Sequence, residues 1–176
     1  VAITVEEVRY TLTQQHRHIK TLMEDVLTQE GPDREEAFSH LRRFLAAHEA
    51  AEEECMHFPA IEDLDGETAE VVERVEEEEA AGKVITELEQ LGTGSPDFPA
   101  KFEQLRQAVI AHAEAEENEE LPALLEPLDD SEVARLRQAL SLVPDLASRN
   151  GDSGTSFTER LQSARAEFRS GAPTAR

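Results

Sequence analysis

Two segments, His48-Glu-Ala-Ala-Glu52 and His112-Ala-Glu-Ala-Glu116, each set an imidazole and a carboxylate four residues apart within runs of good helix formers. Each helical residue turns by ~100°, so an i, i+4 pair lies only ~40° apart and both side chains point one way. The segments recur at a fixed offset, since 48 to 112 and 52 to 116 are both 64 residues. Two such helices facing one another would converge four metal-binding side chains on one point, enough to hold a metal pair.

The remaining sequence supplies partners for those helices. Thr4 and Glu7 form a capping box for a first helix to about Gln29, whose apolar stripe of Leu12, Ile19 and Met23 includes His16. Gly31-Pro32 breaks it, and Asp33 with Glu36 opens a second helix carrying Leu41, Phe44, Leu45, His48, Glu52 and Cys55 and ending near Phe58-Pro59. Gly66 marks a turn before a third helix, about 68–91, with Val71, Val75, Ile85 and Leu88. The breakers between Gly92 and Pro99 make a loop, and a fourth helix runs from about Ala100 to Leu121 with Leu105, Val109 and His112 on one side. Pro122 and Pro127 bracket a turn, Asp130-Ser131 caps a short fifth helix through Leu142, and the stretch from Pro144 to Ser156 reads as a flexible linker. A short helix over Phe157 to Phe168 precedes a disordered end. The predicted fold is all-α: an antiparallel up-down four-helix bundle over residues 1–143 with the short fifth helix, and a flexible C-terminal extension over 144–176.

A chain of 176 residues is long enough for one domain with a real core. Its 39 acidic and 17 basic residues give a formal net charge of -22, which repels nucleic-acid phosphate and anionic membrane surfaces and predicts neither as a partner. No apolar run approaches the ~20 residues of a membrane span. Val1 to Glu7 lack the basic start and apolar stretch of a secretory signal, and the one cysteine, Cys55, cannot form an internal disulfide. The expectation is a cytoplasmic protein. Most of the carboxylates belong to a solvated surface, so only position relative to the apolar stripes singles some out. Phosphate-cradling glycine loops, CxxC pairs and Ser/His/Asp arrangements are not recognisable.

The 64-residue offset implies that the second helix pair repeats the first, which places the equivalent of His16 at Ala80. A one-residue difference in loop length brings Glu79 to that place. Iron and manganese accept imidazole and carboxylate together, and carboxylates bridge two cations. The candidate ligands are therefore His16, His48, Glu52, Glu79, His112 and Glu116. Glu117 is the alternative to Glu116 if the helix is distorted, and Glu78 is the alternative to Glu79. Cys55 shares the face of His48 but reads as a small buried thiol. His18 lies ~200° from His16 and faces solvent, while His57, ~180° from His48, reads as a helix-end residue. His40 is two turns before His48 and structural. Tyr10 is a potential hydrogen-bond donor to a ligand with nothing specific behind it.

These residues resemble the hemerythrin-like, or HHE cation-binding, family. The resemblance covers about Leu12 to Leu142: Gln15-His16-Arg17-His18-Ile19, His48-Glu-Ala-Ala-Glu52-Glu-Glu, His112-Ala-Glu-Ala-Glu116-Glu117, and the Pro-rich exit into Leu128-Asp-Asp-Ser-Glu-Val. It implies two non-haem irons held by His16, His48, Glu52, His112 and Glu116, with Glu52 and Glu116 as bridging carboxylates. The family's usual histidine on helix three is replaced within Glu77-Glu78-Glu79-Ala80-Ala81-Gly82-Lys83, where Glu79 stands at the ligand position and Lys83 at an optional second one. The alternative for Glu79 is a solvent-facing pair with Lys83. More anionic oxygen favours the ferric state and harder cations, and so oxidative turnover or sequestration over reversible oxygen carriage. The implied function is binding or reduction of dioxygen, peroxide or nitric oxide, with access set by Leu12, Ile19, Phe44 and Val109. A peroxidase or catalase-like activity fits, although no dedicated acid-base residue is evident. An iron-binding sensor or storage module without turnover, a site of one metal, and a structural acidic bundle with a decayed site are the alternatives. No feature identifies a protein partner.

Overall fold

A computed structural model describes residues 4–57, 69–149 and 154–170, all helix, turn or short connection with no strand among them. The helices are α1 (Val5–Thr28), α2 (Gly31–Glu52), α3 (Ala69–Leu91), α4 (Phe98–Ala115), α5 (Leu121–Leu125), α6 (Asp130–Arg149) and α7 (Phe157–Arg169). Wide π-helical turns extend α2 over Glu53–His57 and α4 over Glu116–Glu120. The Thr4 amide donates to Glu7 Oε2 at 3.1 Å, as the capping pattern predicts. The second helix starts at Gly31 (φ 55°), two residues before the expected Asp33, with Pro32 in its first turn. Phe58-Pro59 and Gly66 lie outside the described residues.

Cross-helix contacts fix the directions. Arg34 Nε donates to the Val26 carbonyl (3.2 Å) and the His16 and His48 rings meet at 5.0 Å, so α1 and α2 are antiparallel. Arg42 pairs with Glu89 at 2.6 Å and His57 with Glu78 at 3.2 Å, which sets α3 antiparallel to α2. Lys101 pairs with Glu87, and His112 with Glu77 at 3.0 Å, reversing α4 against α3. Lys20 and Glu114 (3.8 Å) and His16 and Glu117 (2.7 Å) then close α4 back on α1. The four long helices thus form an antiparallel bundle.

The best buried helix is α2, with every residue from Phe44 to Glu53 buried. It packs against α1, α6 and α7, and Ala46, Ala47, Ala50 and Ala51 let those neighbours approach closely. His48 and Glu52 are consequently buried, at 3% and 0% exposure. No helix of the described residues is long and apolar enough to cross a membrane.

The C-terminal region departs from expectation. The helix expected to stop at Leu142 continues through Pro144 to Arg149, because proline removes one backbone donor while Leu140, Val143 and Leu146 keep the apolar stripe packed. Its cap is Asp129, whose Oδ1 accepts from the amides of Ser131 (2.8 Å) and Glu132 (2.9 Å). Far from trailing as a flexible extension, α7 docks on α2, burying Phe157 and Ala164. Arg165 forks onto Glu53, Arg169 reaches Glu54 at 2.6 Å, and the Phe157 amide donates to Glu89 at 2.8 Å. Two arginines thereby offset two carboxylates beside the centre of a strongly acidic chain.

Candidate metal centre

Both His-x-x-x-Glu segments run directly into the two π-helical turns. Such a turn widens the helix and shifts the facing of the residues beyond it, and these turns recur at functional sites. On a regular helix His57 would lie opposite His48; through the wide turn its ring instead sits inside the bundle, fully buried. The second turn keeps Glu116 inward and brings Glu120 in beside it, at 0% and 3% exposure.

Inside the bundle His48 Nε2 lies 2.9 Å from Glu52, and His16 Nε2 lies 3.5 Å from Glu52 and 3.2 Å from Glu116. His57 Nε2 is 3.3 Å from Glu120 and 3.7 Å from Glu116, while Glu78 reaches across from α3 to His57 Nδ1 (3.2 Å) and His112 Nε2 (3.7 Å). Three overlapping groups result: His16, His48 and Glu52; Glu52, His112 and Glu116; His57, Glu116 and Glu120. Within each, one donor atom per residue lies within 4.8 Å of the others. Glu52 and Glu116 each belong to two groups.

The outer nitrogens of three imidazoles are tied from behind. His16 Nδ1 donates to Glu117 (2.7 Å), His112 Nδ1 to Glu77 (3.0 Å) and His48 Nδ1 to Gln15 Oε1 (2.9 Å). Each bond turns Nε2 inward and directs a proton to Nδ1, leaving Nε2 free to ligate. For His48 the support begins in α6. Pro144 has no N–H for the carbonyl four residues earlier, Leu140, and that oxygen accepts from Gln15 Nε2 at 2.6 Å. With its amide nitrogen so engaged, Gln15 must present its oxygen to His48.

The donor set fits a cation. Both oxygens of Glu52, Glu78, Glu116 and Glu120, both ring nitrogens of His57, and Nε2 of His16 and His112 are buried without a hydrogen-bond partner. Unpaired buried charge is costly, and a shared positive ion is the simplest remedy. Without one, protons take that role. Burial alone would lower His16, but Glu116 and Glu52 outweigh it and push it up to about 11, and His57 is raised in the same way by Glu116 and Glu78. Burial lifts Glu78 to about 8 and Glu120 to about 7, in each case more than His57 lowers it. Glu52 and Glu116 stay below the usual carboxylate range despite burial, because His48 and His16 hold the first and His16 and His57 the second. Glu49, beside His48, is pushed well above that range by burial and then by Glu78.

Of the sequence candidates, His16, His48, Glu52, His112 and Glu116 meet in this cluster. Glu79 does not: it is exposed, and Glu78 is the buried carboxylate of α3. The helical phase of α3, set by Ala81, Ile85 and Leu88 in the core, turns residue 78 inward and 79 out. Glu117 backs His16 rather than replacing Glu116. His57 corrects the helix-end reading, and Glu120 and Gln15 were not among the candidates. Glu120 is four residues after Glu116, so the ~100° step already sets it on the same face, but nothing in Glu116-Glu-Asn-Glu-Glu120 marks it out by residue type. His18 is exposed with its ring edge-on to Phe44, His40 is exposed near Glu36, and Tyr10 is 67% exposed. Cys55 is half-buried against the core, with burial and Glu54 lifting its thiol to about 11.

Gln15→Leu should leave the bundle folded but weaken metal binding about 10–100-fold, as loss of ligand-orienting partners generally does. Chelator competition measures this, and an unchanged affinity would contradict the relay. A second expectation concerns the metal-free protein. Glu78, Glu120, His16 and His57 all bind protons more tightly folded than unfolded, where carboxyls titrate near 4.5 and imidazoles near 6.5. Their stabilising contributions are complete below those unfolded values and fade as pH climbs through about 7, 8 and 11. Glu52 and Glu116 act oppositely, but only below about 4.5. The metal-free Tm should therefore fall between pH 6 and pH 9; a rise over that window would refute these protonation states.

Residues 8–124 match the Hemerythrin HHE cation binding domain. No curated protein and no solved structure matches the chain. The matched stretch is more than half the chain and contains every member of the three donor groups, from His16 to Glu120. The four-helix bundle and its buried histidine and glutamate cluster thus belong to a chain of the hemerythrin HHE cation-binding family.

Proposed function

We propose that this chain is a non-haem diiron protein that binds or reduces small oxidants: dioxygen, peroxide or nitric oxide. The observation carrying this reading is the sharing of Glu52 and Glu116 between overlapping donor groups, the arrangement two adjacent cations require. In this reading His16, His48 and Glu52 would hold one ion and His57, Glu116 and Glu120 the other. Glu78 would add an oxygen from α3, and His112, grouped with Glu52 and Glu116, would complete the donor set. Manganese accepts the same donors.

Bound iron would supply electron exchange with the oxidant. The chain's own residues set the conditions. Glu117, Gln15 and Glu77 hold three imidazoles with Nε2 inward, so the donors are placed before a cation arrives. The protons carried near Glu78, Glu120 and His57 in the metal-free protein leave on loading, which makes uptake stronger at higher pH. With Glu78 and Glu120 added to Glu52 and Glu116, the donor set is rich in carboxylate. That composition favours the ferric state and harder cations, and so oxidative turnover or sequestration over reversible oxygen carriage.

Iron analysis of the loaded protein, its Glu78→Ala and Glu79→Ala variants, and their optical spectra before and after peroxide test the reading. The expected result is about two irons per chain, a peroxide-dependent spectral change, loss of iron in Glu78→Ala and full retention in Glu79→Ala. Retention in Glu78→Ala with loss in Glu79→Ala, or a spectrum indifferent to peroxide, would overturn it.

A further inference from the structure

A cavity of about 240 Å³ leads from the cluster toward the surface between α1, α3 and α4. Its floor is formed by His16, His48, Glu52, Glu78 and His112. All but His112 are at least nine-tenths buried, and both oxygens of Glu52 and Glu78 and Nε2 of His16 lack hydrogen-bond partners. The walls are different in kind: Ile19, Leu45, Ala81, Leu105 and Val109 are all buried and apolar. The outer end is edged by Ala80, Ala108 and Ala111, which are exposed and too small to close it.

The dimensions do not suit a two-atom oxidant alone. A water molecule's share of the liquid is about 30 Å³, and an apolar cavity of about 150 Å³ already accommodates benzene. Ions held at the histidine and glutamate floor would take the inner end, and dioxygen or peroxide beside them would leave the space between the apolar walls unfilled. Its occupant should be apolar over most of its length, because apolar side chains make up most of the wall, with Lys20, Glu49 and Glu77 the charged residues beside them. Its inner end should carry oxygen, because the floor is made of hydrogen-bonding and ligating groups. It should also be uncharged, because the apolar walls would strip the water from either sign of ion.

We propose that this cavity binds a neutral organic molecule of about ring size, with a hydroxyl or hydroperoxyl group directed at the histidine and glutamate cluster. What the polar end meets rests on the metal reading above; the fit of the apolar end does not.

Benzyl alcohol is the probe, titrated by calorimetry into the protein before and after iron loading. Saturable binding of one molecule is expected in both forms, with benzoate at least tenfold weaker in the metal-free form. Ala108→Trp, at the exposed mouth, and Ala81→Leu, which fills the wall from inside, should each weaken benzyl alcohol at least tenfold. Iron content in Ala108→Trp should be unchanged. Benzyl alcohol binding by a protein that takes up no iron would support the cavity while sinking the metal centre. Absence of saturable binding in both forms, or unchanged affinity in both variants, would overturn the proposal.

Discussion

The arrangement depends on one electrostatic constraint: Glu52 and Glu116 are fully buried at the middle of a bundle, facing each other's histidines with no hydrogen bond to satisfy either carboxylate. Removing two carboxylates from water costs several kcal/mol apiece unless positive charge is brought to them. Every unusual local feature answers that need. The π-helical turns deliver His57 and Glu120, Glu117 and Gln15 turn imidazole nitrogens inward, and α3 contributes Glu78. The cluster is therefore held by protons or by cations, and its affinity for one rises as the other leaves.

Around that centre the chain is built in shells from different elements. Alanines make α2 thin enough to be enclosed by α1, α6 and α7 together. The last two helices lie beyond the stretch matched to the family yet reach its core: α6 through the Leu140 carbonyl that anchors Gln15, and α7 through Arg165 on Glu53, next to Glu52. A helix-disfavouring proline thus has a use, since the acceptor it frees inside the fold is taken by the side chain that also holds His48.

Much of this was legible from periodicity. A step of ~100° per residue places His16, His48, Glu52, His112 and Glu116 on inward stripes, and that is where they lie. The same rule misplaced His57, because it lies at the end of a wide turn where the step no longer holds, whereas Glu120, which the step sets only ~40° from Glu116, was passed over in a run of like residues. The repeat, with a one-residue change in loop length, and the resemblance both pointed to Glu79, with Glu78 the alternative, and packing of Ala81, Ile85 and Leu88 turns Glu78 inward; a single-residue choice in a run of glutamates is decided by tertiary packing rather than by type. Pro144 and the Ser/Gly-rich stretch after it suggested a loose end. The apolar stripe of α6 and the Phe157 and Arg165 contacts of α7 override that local signal, since docking energy is not encoded in backbone preference.

The central claim is that two adjacent cations share Glu52 and Glu116, with His57, Glu78 and Glu120 among the donors of the second. Anomalous diffraction from crystals of the iron-loaded protein, collected on both sides of the iron edge, tests it most directly. The account predicts two peaks within one carboxylate's reach of each other, one beside His16 and His48 and the other beside His57 and Glu120. A single peak, or a second one lying at Glu79 on the outer face of α3, would contradict it.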